Sequence, residues 1–165
     1  MPFYYNPHNL VKIWLSKNPD VFMNFENQTR LIDMRLNNPS ANFYLVYDKT
    51  LLNFSAQKEL HDFCLDQNIT SIDANSFNQD ELSEDEKTLY KFYKDELASV
   101  SRGGNVAVAS DILRLISPVY RLGTYTDLDV AVNTEHLPES VEVDAPLLLN
   151  IGSLRLFGSR EIVYA

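Results

Sequence analysis

The chain has 165 residues, 45% of them apolar and 22% charged, which is the length of one domain (1–165) and the composition of a globular protein, and excludes disordered, collagen-like and disulfide-stapled classes. Fourteen basic against 23 acidic residues leave a net charge of −9, which argues against a nucleic-acid or anionic-membrane surface, since such binding rests on Lys and Arg neutralising phosphates. No apolar run approaches the roughly 18 residues of a membrane span, Met1-Pro2-Phe3-Tyr4-Tyr5 lacks the basic and apolar regions of a signal peptide, and the lone Cys64 excludes an intrachain disulfide or a cysteine-rich zinc site.

Short β-rich runs alternate with stretches of helical period, so the fold class is α/β. Asn9 to Leu15 reads as a first strand. Asn18-Pro19 reads as an N-cap followed by a first-turn proline, opening a helix with Phe22, Phe25, Thr29, Ile32 and Leu36 in line, stopped at Asn37-Asn38-Pro39. Asn42 to Tyr47 is a second strand ending at Asp48, Ser55 to Asp66 a second helix with Leu60, Phe63 and Cys64 on one face, and Ile69 to Ile72 a third strand. Residues 9–73 therefore form a β-α-β-α-β half of Rossmann character.

Ser83-Glu84-Asp85-Glu86 has the pattern of a capping box and opens a third helix that runs to about Val100, with Leu89, Tyr93, Leu97 and Val100 aligned. Tyr90, Phe92 and Tyr93 read as core and rim. After the turn Arg102-Gly103-Gly104, a fourth helix is expected over Asn105 to Tyr120, its core stripe formed by Val106, Ala109, Leu113, Ile116 and Tyr120. Thr124 to Val132 reads as a strand interrupted by acids, completing a helical and acidic segment over about 80–132. Pro146 to Ile151 and Glu161 to Ala165 read as further strands.

Chemistry concentrates in residues 105–130. Asp111 and Arg114, three apart on the side of the fourth helix away from its core stripe, have the spacing of an ordinary surface ion pair, worth a few tenths of a kcal/mol. Past the turn at Gly123, Asp127 and Asp129 would share one face of the strand, with Leu128 and Val130 pointing inward. Two carboxylates on one face repel and ask for a cation. In an extended strand they are about 6.6 Å apart, which favours one aspartate on a metal and the other on ligand hydroxyls. Hard oxygen donors select Mg²⁺ or Mn²⁺. Asp-X-Asp alone is a weak signal, shared by many solvated acidic turns. His61 and Cys64 have no second ligand pair and carry no metal reading.

Taken together, Asn105-Val106-Ala107-Val108-Ala109-Ser110-Asp111-Ile112-Leu113-Arg114 followed by Leu122-Gly123-Thr124-Tyr125-Thr126-Asp127-Leu128-Asp129-Val130 resembles the core signature of the DXD-motif glycosyltransferases related to the large clostridial cytotoxins and similar bacterial effectors. There an alanine-rich helix bearing Ser-Asp-X-X-Arg precedes Gly-Gly-X-Tyr-X-Asp-X-Asp. Val11-Lys12-Ile13-Trp14-Leu15 and Phe43-Tyr44-Leu45-Val46-Tyr47-Asp48 resemble the family's first two strands, so the resemblance covers about residues 9 to 151. Two departures are Leu122-Gly123 in place of a glycine pair and Val11-Lys12-Ile13-Trp14 in place of His-X-Ile-Trp.

The resemblance implies a GT-A-like, Rossmann-type sheet flanked by helices, and a metal-dependent transferase that moves a sugar from a nucleotide-sugar donor, commonly a UDP-hexose, to a protein hydroxyl of a host. Asp129 would bind Mn²⁺ or Mg²⁺, with Asp127 at the ribose and sugar. Asp111 and Arg114 would hold sugar hydroxyls, Arg114 also lying near the charge that develops on the diphosphate, while Tyr125 would flank the site and Trp14 would stack on the base. In this family the nucleotide half continues into a portion with a further metal contact and a closing loop, so 1–165 is expected to be a C-terminally truncated, nucleotide-binding part that transfers nothing alone. A secreted effector acting in host cytoplasm is implied, the alternative being the bacterial cytoplasm. Two rival functions are a non-catalytic nucleotide-sugar-binding or recruitment module and a haloacid-dehalogenase-type phosphatase, whose nucleophile motif Asp127-Leu128-Asp129-Val130 also resembles.

Overall fold

The computed structural model describes residues 2–100 and 104–145 and the backbone of two strands beyond them. A parallel sheet organises the chain, built from β2 (Asn9–Ile13), β3 (Asn42–Tyr47), β4 (Thr70–Asp73) and β5 (Thr124–Tyr125) in the order β4-β3-β2-β5. Successive parallel pairs Lys12↔Leu45, Leu45↔Ser71 and Val11↔Tyr125 set the register. A short antiparallel pair joins β1 (Phe3–Tyr5) to β6 (Val141–Val143), and β7 (Ser153–Leu156) pairs with β8 (Arg160–Val163). The strand expected at 146–151 lies outside the described residues, as do Arg102 and Gly103 of the expected turn; the strand expected at 161–165 is β8 up to Val163.

Both faces of the parallel sheet are covered, as βαβ connections require. On one side Leu10, Phe43 and Leu45 pack against Leu31 and Met34 of α1 (Phe25–Asn37) and Ala56, Leu60 and Cys64 of α2 (Phe54–Asp66). On the other, Val11, Ile13 and Val46 meet Tyr90 and Tyr93 of α3 (Glu84–Ala98), Ala109 and Leu113 of α4 (Val106–Leu113) and Val119 of α5 (Ser117–Tyr120). Burial pushes the Cys64 thiol up to about 12, so it is an inert core residue.

Three expectations need correction. The first helix opens at Phe25 with Asn24 as its cap, not at Asn18. Asn18 instead accepts from Asp20 N in a local turn at 3.0 Å, and Phe22 and Met23 enter the core before the helix begins, while Phe25 and Leu36 are left exposed. Either asparagine can cap a helix; burial of Phe22 and Met23 selected the second.

The helix expected over 105–120 is broken into α4 and α5. Pro118 has no N–H for the carbonyl of Arg114 and its ring would clash there, so α4 ends with Arg114 as its C-cap. The acidic segment after Tyr125 is not a strand either. β5 stops at Tyr125, and a turn closed by Val130 N donating to Asp127 O (3.0 Å) follows.

The capping box of α3 is present and reaches further than its own helix. Glu86 accepts from Ser83 N at 3.1 Å and from Ser117 N at 2.5 Å, supplying the cap that Ile116 cannot give α5. Burial alone would raise this carboxyl, yet the N–H groups of Ser117 and Ser83 outweigh it and hold it below its ordinary value. Glu86→Ala should cost about 2 kcal/mol in chemical denaturation. A depressed carboxyl contributes stability that is complete above the unfolded pKa of about 4.3 and is lost as pH falls through the folded value, so the wild-type advantage over Glu86→Gln should fade on acidification below that point.

Candidate active site

Strand order reverses at β2, whose chain successors β3 and β4 lie to one side while β5 lies to the other. Ligands of open parallel sheets bind outside the carboxyl ends of the strands at such a switch point. Trp14 follows the end of β2 and the acidic turn follows the end of β5, two adjacent strands. The strand order thus brings together two segments over a hundred residues apart.

Four sequence-predicted residues form one connected chain there. Arg114 Nη2 lies 3.2 Å from Asp111 Oδ1, its guanidinium carbon sits 5.5 Å from the centre of the Tyr125 ring, and Tyr125 Oη donates to Asp127 Oδ1 at 2.8 Å. Arg114 is 29% exposed and Asp111 62%. Paired with Asp111 and lying over an aromatic face, Arg114 has a second partner that an ordinary surface ion pair lacks. Burial pushes the Tyr125 hydroxyl up to about 12, with Ser110 pulling down and Asp127 pushing up, so Tyr125 remains a proton donor to Asp127.

Asp127 and Asp129 are both exposed, but they project from a turn, so the expectation of one strand face 6.6 Å apart does not hold. Asp129 makes no hydrogen bond among the described residues, whereas one oxygen of Asp127 is occupied by Tyr125. Trp14 is half-buried, with its ring 5.4 Å from Phe22 at 76°, at the margin of the core. A recess of about 300 Å³ beside β3 and β4, lined by Asp48, Thr50, Asn75 and Lys94, contains none of these residues.

No group of three or more His, Cys, Asp or Glu side chains among the described residues makes a complete protein ligand set for a metal. Two exposed carboxylates in one turn fit a different arrangement. Mg²⁺-like ions are held by one or two carboxylates and complete their shell with water and ligand phosphate oxygens.

Lys12 escaped the sequence reading. It lies in β2 at 1% exposure and its ammonium donates to Thr126 Oγ1, Asp127 O and Val130 O. Burial pulls it down to about 8, against Asp127 and Asp129, which push it back up. The ammonium thus grips the backbone of the acidic turn, and the two carboxylates favour its charged form. A lysine in the middle of a strand buried on both faces was the available signal, because a buried charge demands partners.

Gly123, at φ +155°, brings the chain against β2: a Cβ there would lie 2.3 Å from Asn9 O. That contact is with backbone, which cannot step aside. Gly123→Ala should cost roughly 1–3 kcal/mol in thermal or chemical unfolding.

A search of curated proteins returns no match. Among solved structures the fold is similar to "PaToxG Glycosyltransferase" at a TM-score of 0.54 and 24% identity, over 78% of this chain and 43% of that one. The chain thus spans less than half of that solved protein. The family model described as "Glycosyltransferase family 88" matches residues 1–158, nearly the whole sequence, and the chain accordingly belongs to glycosyltransferase family 88.

Proposed function

We propose that this chain forms the nucleotide-sugar-binding part of a divalent-metal-dependent glycosyltransferase, with a UDP-hexose as donor and a hydroxyl of a host protein as acceptor. The observation that carries the reading is the connected chain Asp111–Arg114–Tyr125–Asp127, next to Asp129 at the switch point of a parallel sheet. Nothing in an ordinary surface ion pair calls for that continuity. Membership of the family removes the haloacid-dehalogenase alternative.

In this reading Asp129, with no hydrogen bond to another described residue, is the metal ligand, and Asp127, oriented by Tyr125, contacts ribose and sugar hydroxyls. A bound Mn²⁺ or Mg²⁺ would supply charge neutralisation to the departing diphosphate, which also lets an acidic protein accept an anionic ligand. Arg114 and Asp111 orient the sugar through a planar fork and an acceptor carboxylate. Trp14 flanks the base, its ring braced by Phe22. Secretion into a host is part of the same proposal.

Calorimetric titration tests it directly. UDP and UDP-glucose should bind in the presence of MnCl₂ and not in EDTA. Equal binding in both conditions would refute the metal assignment, and no binding of either nucleotide would refute the donor site.

A further inference from the structure

One ammonium joins two distant segments of the chain, β2 and the acidic turn. Lys12 occupies the middle of β2, the central strand bounded by β3 and β5, and its Nζ reaches three oxygens: Thr126 Oγ1 at 2.8 Å, Asp127 O at 2.5 Å and Val130 O at 2.8 Å. An ammonium has three N–H donors, and each is used. The acceptors bracket Asp127-Leu128-Asp129, so the turn is wrapped around the charge.

Besides Lys12, the turn is held by Tyr125 Oη donating to Asp127 Oδ1 at 2.8 Å and by a few backbone bonds. Its backbone contributes Val130 N to Asp127 O at 3.0 Å and Thr126 N to Val11 O at 3.3 Å, the second being a long bond just past the end of a two-residue strand. Leu128 leans on the core on the α1 and α2 side, while the two aspartates face outward. Further on, Asn38 fixes the returning chain, donating to Val132 O at 2.7 Å and accepting from Thr134 N at 2.8 Å. The stretch from 126 to 134 has no regular structure, yet two buried polar side chains fasten it.

We propose that Lys12 is the positioning residue of the acidic turn, holding residues 126–130 in the shape that presents the Asp127 and Asp129 carboxylates together before any ligand arrives. It touches neither substrate nor metal in this role. The inference rests on the donor-site reading for its consequence, but the shape of the turn can be measured without it. A side chain that merely filled space in β2 would be replaceable by methionine, which has similar length and no donors.

The test uses the chain with Lys12→Met and, as a milder variant that leaves β2 intact, Thr126→Val. Amide hydrogen exchange at residues 126–130 should accelerate about tenfold in Lys12→Met and by a smaller factor in Thr126→Val, while the β2–β3 ladder keeps its protection. Mn²⁺ affinity, read from the electron paramagnetic resonance of free Mn²⁺ with UDP present, should fall about tenfold in Lys12→Met. Wild-type protection of the turn in a folded Lys12→Met protein would overturn the proposal. If that variant does not fold, wild-type protection of the turn in Thr126→Val overturns it instead. A wild-type chain that binds no Mn²⁺ while Lys12→Met still loosens the turn would remove the donor-site reading and leave the positioning role standing.

Discussion

Asp129→Asn is expected to abolish Mn²⁺-dependent binding of UDP by this chain, a loss of at least tenfold in calorimetric titration. The substitution keeps an oxygen in place and removes the charge, and a hard divalent cation with few protein ligands depends on that charge. Asp127→Asn should weaken binding of UDP-glucose while leaving the turn in shape, because an amide oxygen can still accept from Tyr125 Oη, as the carboxylate does at 2.8 Å. Neither change should unfold the protein. Both aspartates are exposed, and exposed substitutions rarely move stability by more than about 0.5 kcal/mol. The mutual repulsion of the carboxylates is relieved, but Lys12 loses part of the negative field that favours its charge, so the two effects oppose each other. A double Asn variant that binds Mn²⁺ and UDP as the wild type does would end the metal assignment.

Arg114→Lys should separate sugar recognition from nucleotide recognition. The guanidinium pairs with Asp111 at 3.2 Å and lies over the Tyr125 ring at 5.5 Å, and an ammonium, lacking the planar fork of donors, cannot reproduce both contacts. Affinity for UDP-glucose should drop about tenfold or more, with affinity for UDP changed little, since the fork is assigned to sugar hydroxyls. Lysine would still reach Asp111, so a purely structural ion pair predicts no change in either ligand. Unaltered UDP-glucose binding in a folded Arg114→Lys protein would return Asp111 and Arg114 to that role.

Where the sequence carried its own punctuation, its elements were legible. The strand Asn42–Tyr47, bounded by polar residues, and the capping box at Ser83 and Glu86 are as expected, because both are set by near neighbours in the chain. The α/β class followed from alternating periods, and family membership from the spacing of Asp111, Arg114, Tyr125, Asp127 and Asp129. Helix starts were less legible where two caps compete: Asn18 and Asn24 are equally able locally, and only the burial of Phe22 and Met23 distinguishes them. Pro118 was in plain view, yet the apolar stripe continuing to Tyr120 masked the break it forces at Arg114.

By itself, then, the sequence determined which residues carry charge, which periods repeat and which short motifs stand in order, all of them properties of neighbours along the chain. Tertiary structure decided what those residues meet. The strand order placed β5 beside β2, and with it the acidic turn above Lys12, across an interval of more than a hundred residues. The backbone that carries the two exposed carboxylates was thereby fastened to a buried ammonium whose charge they favour. A charge on a central strand is a cost that local propensity does not register; its compensation depends on acceptors that only the folded sheet brings within hydrogen-bonding distance.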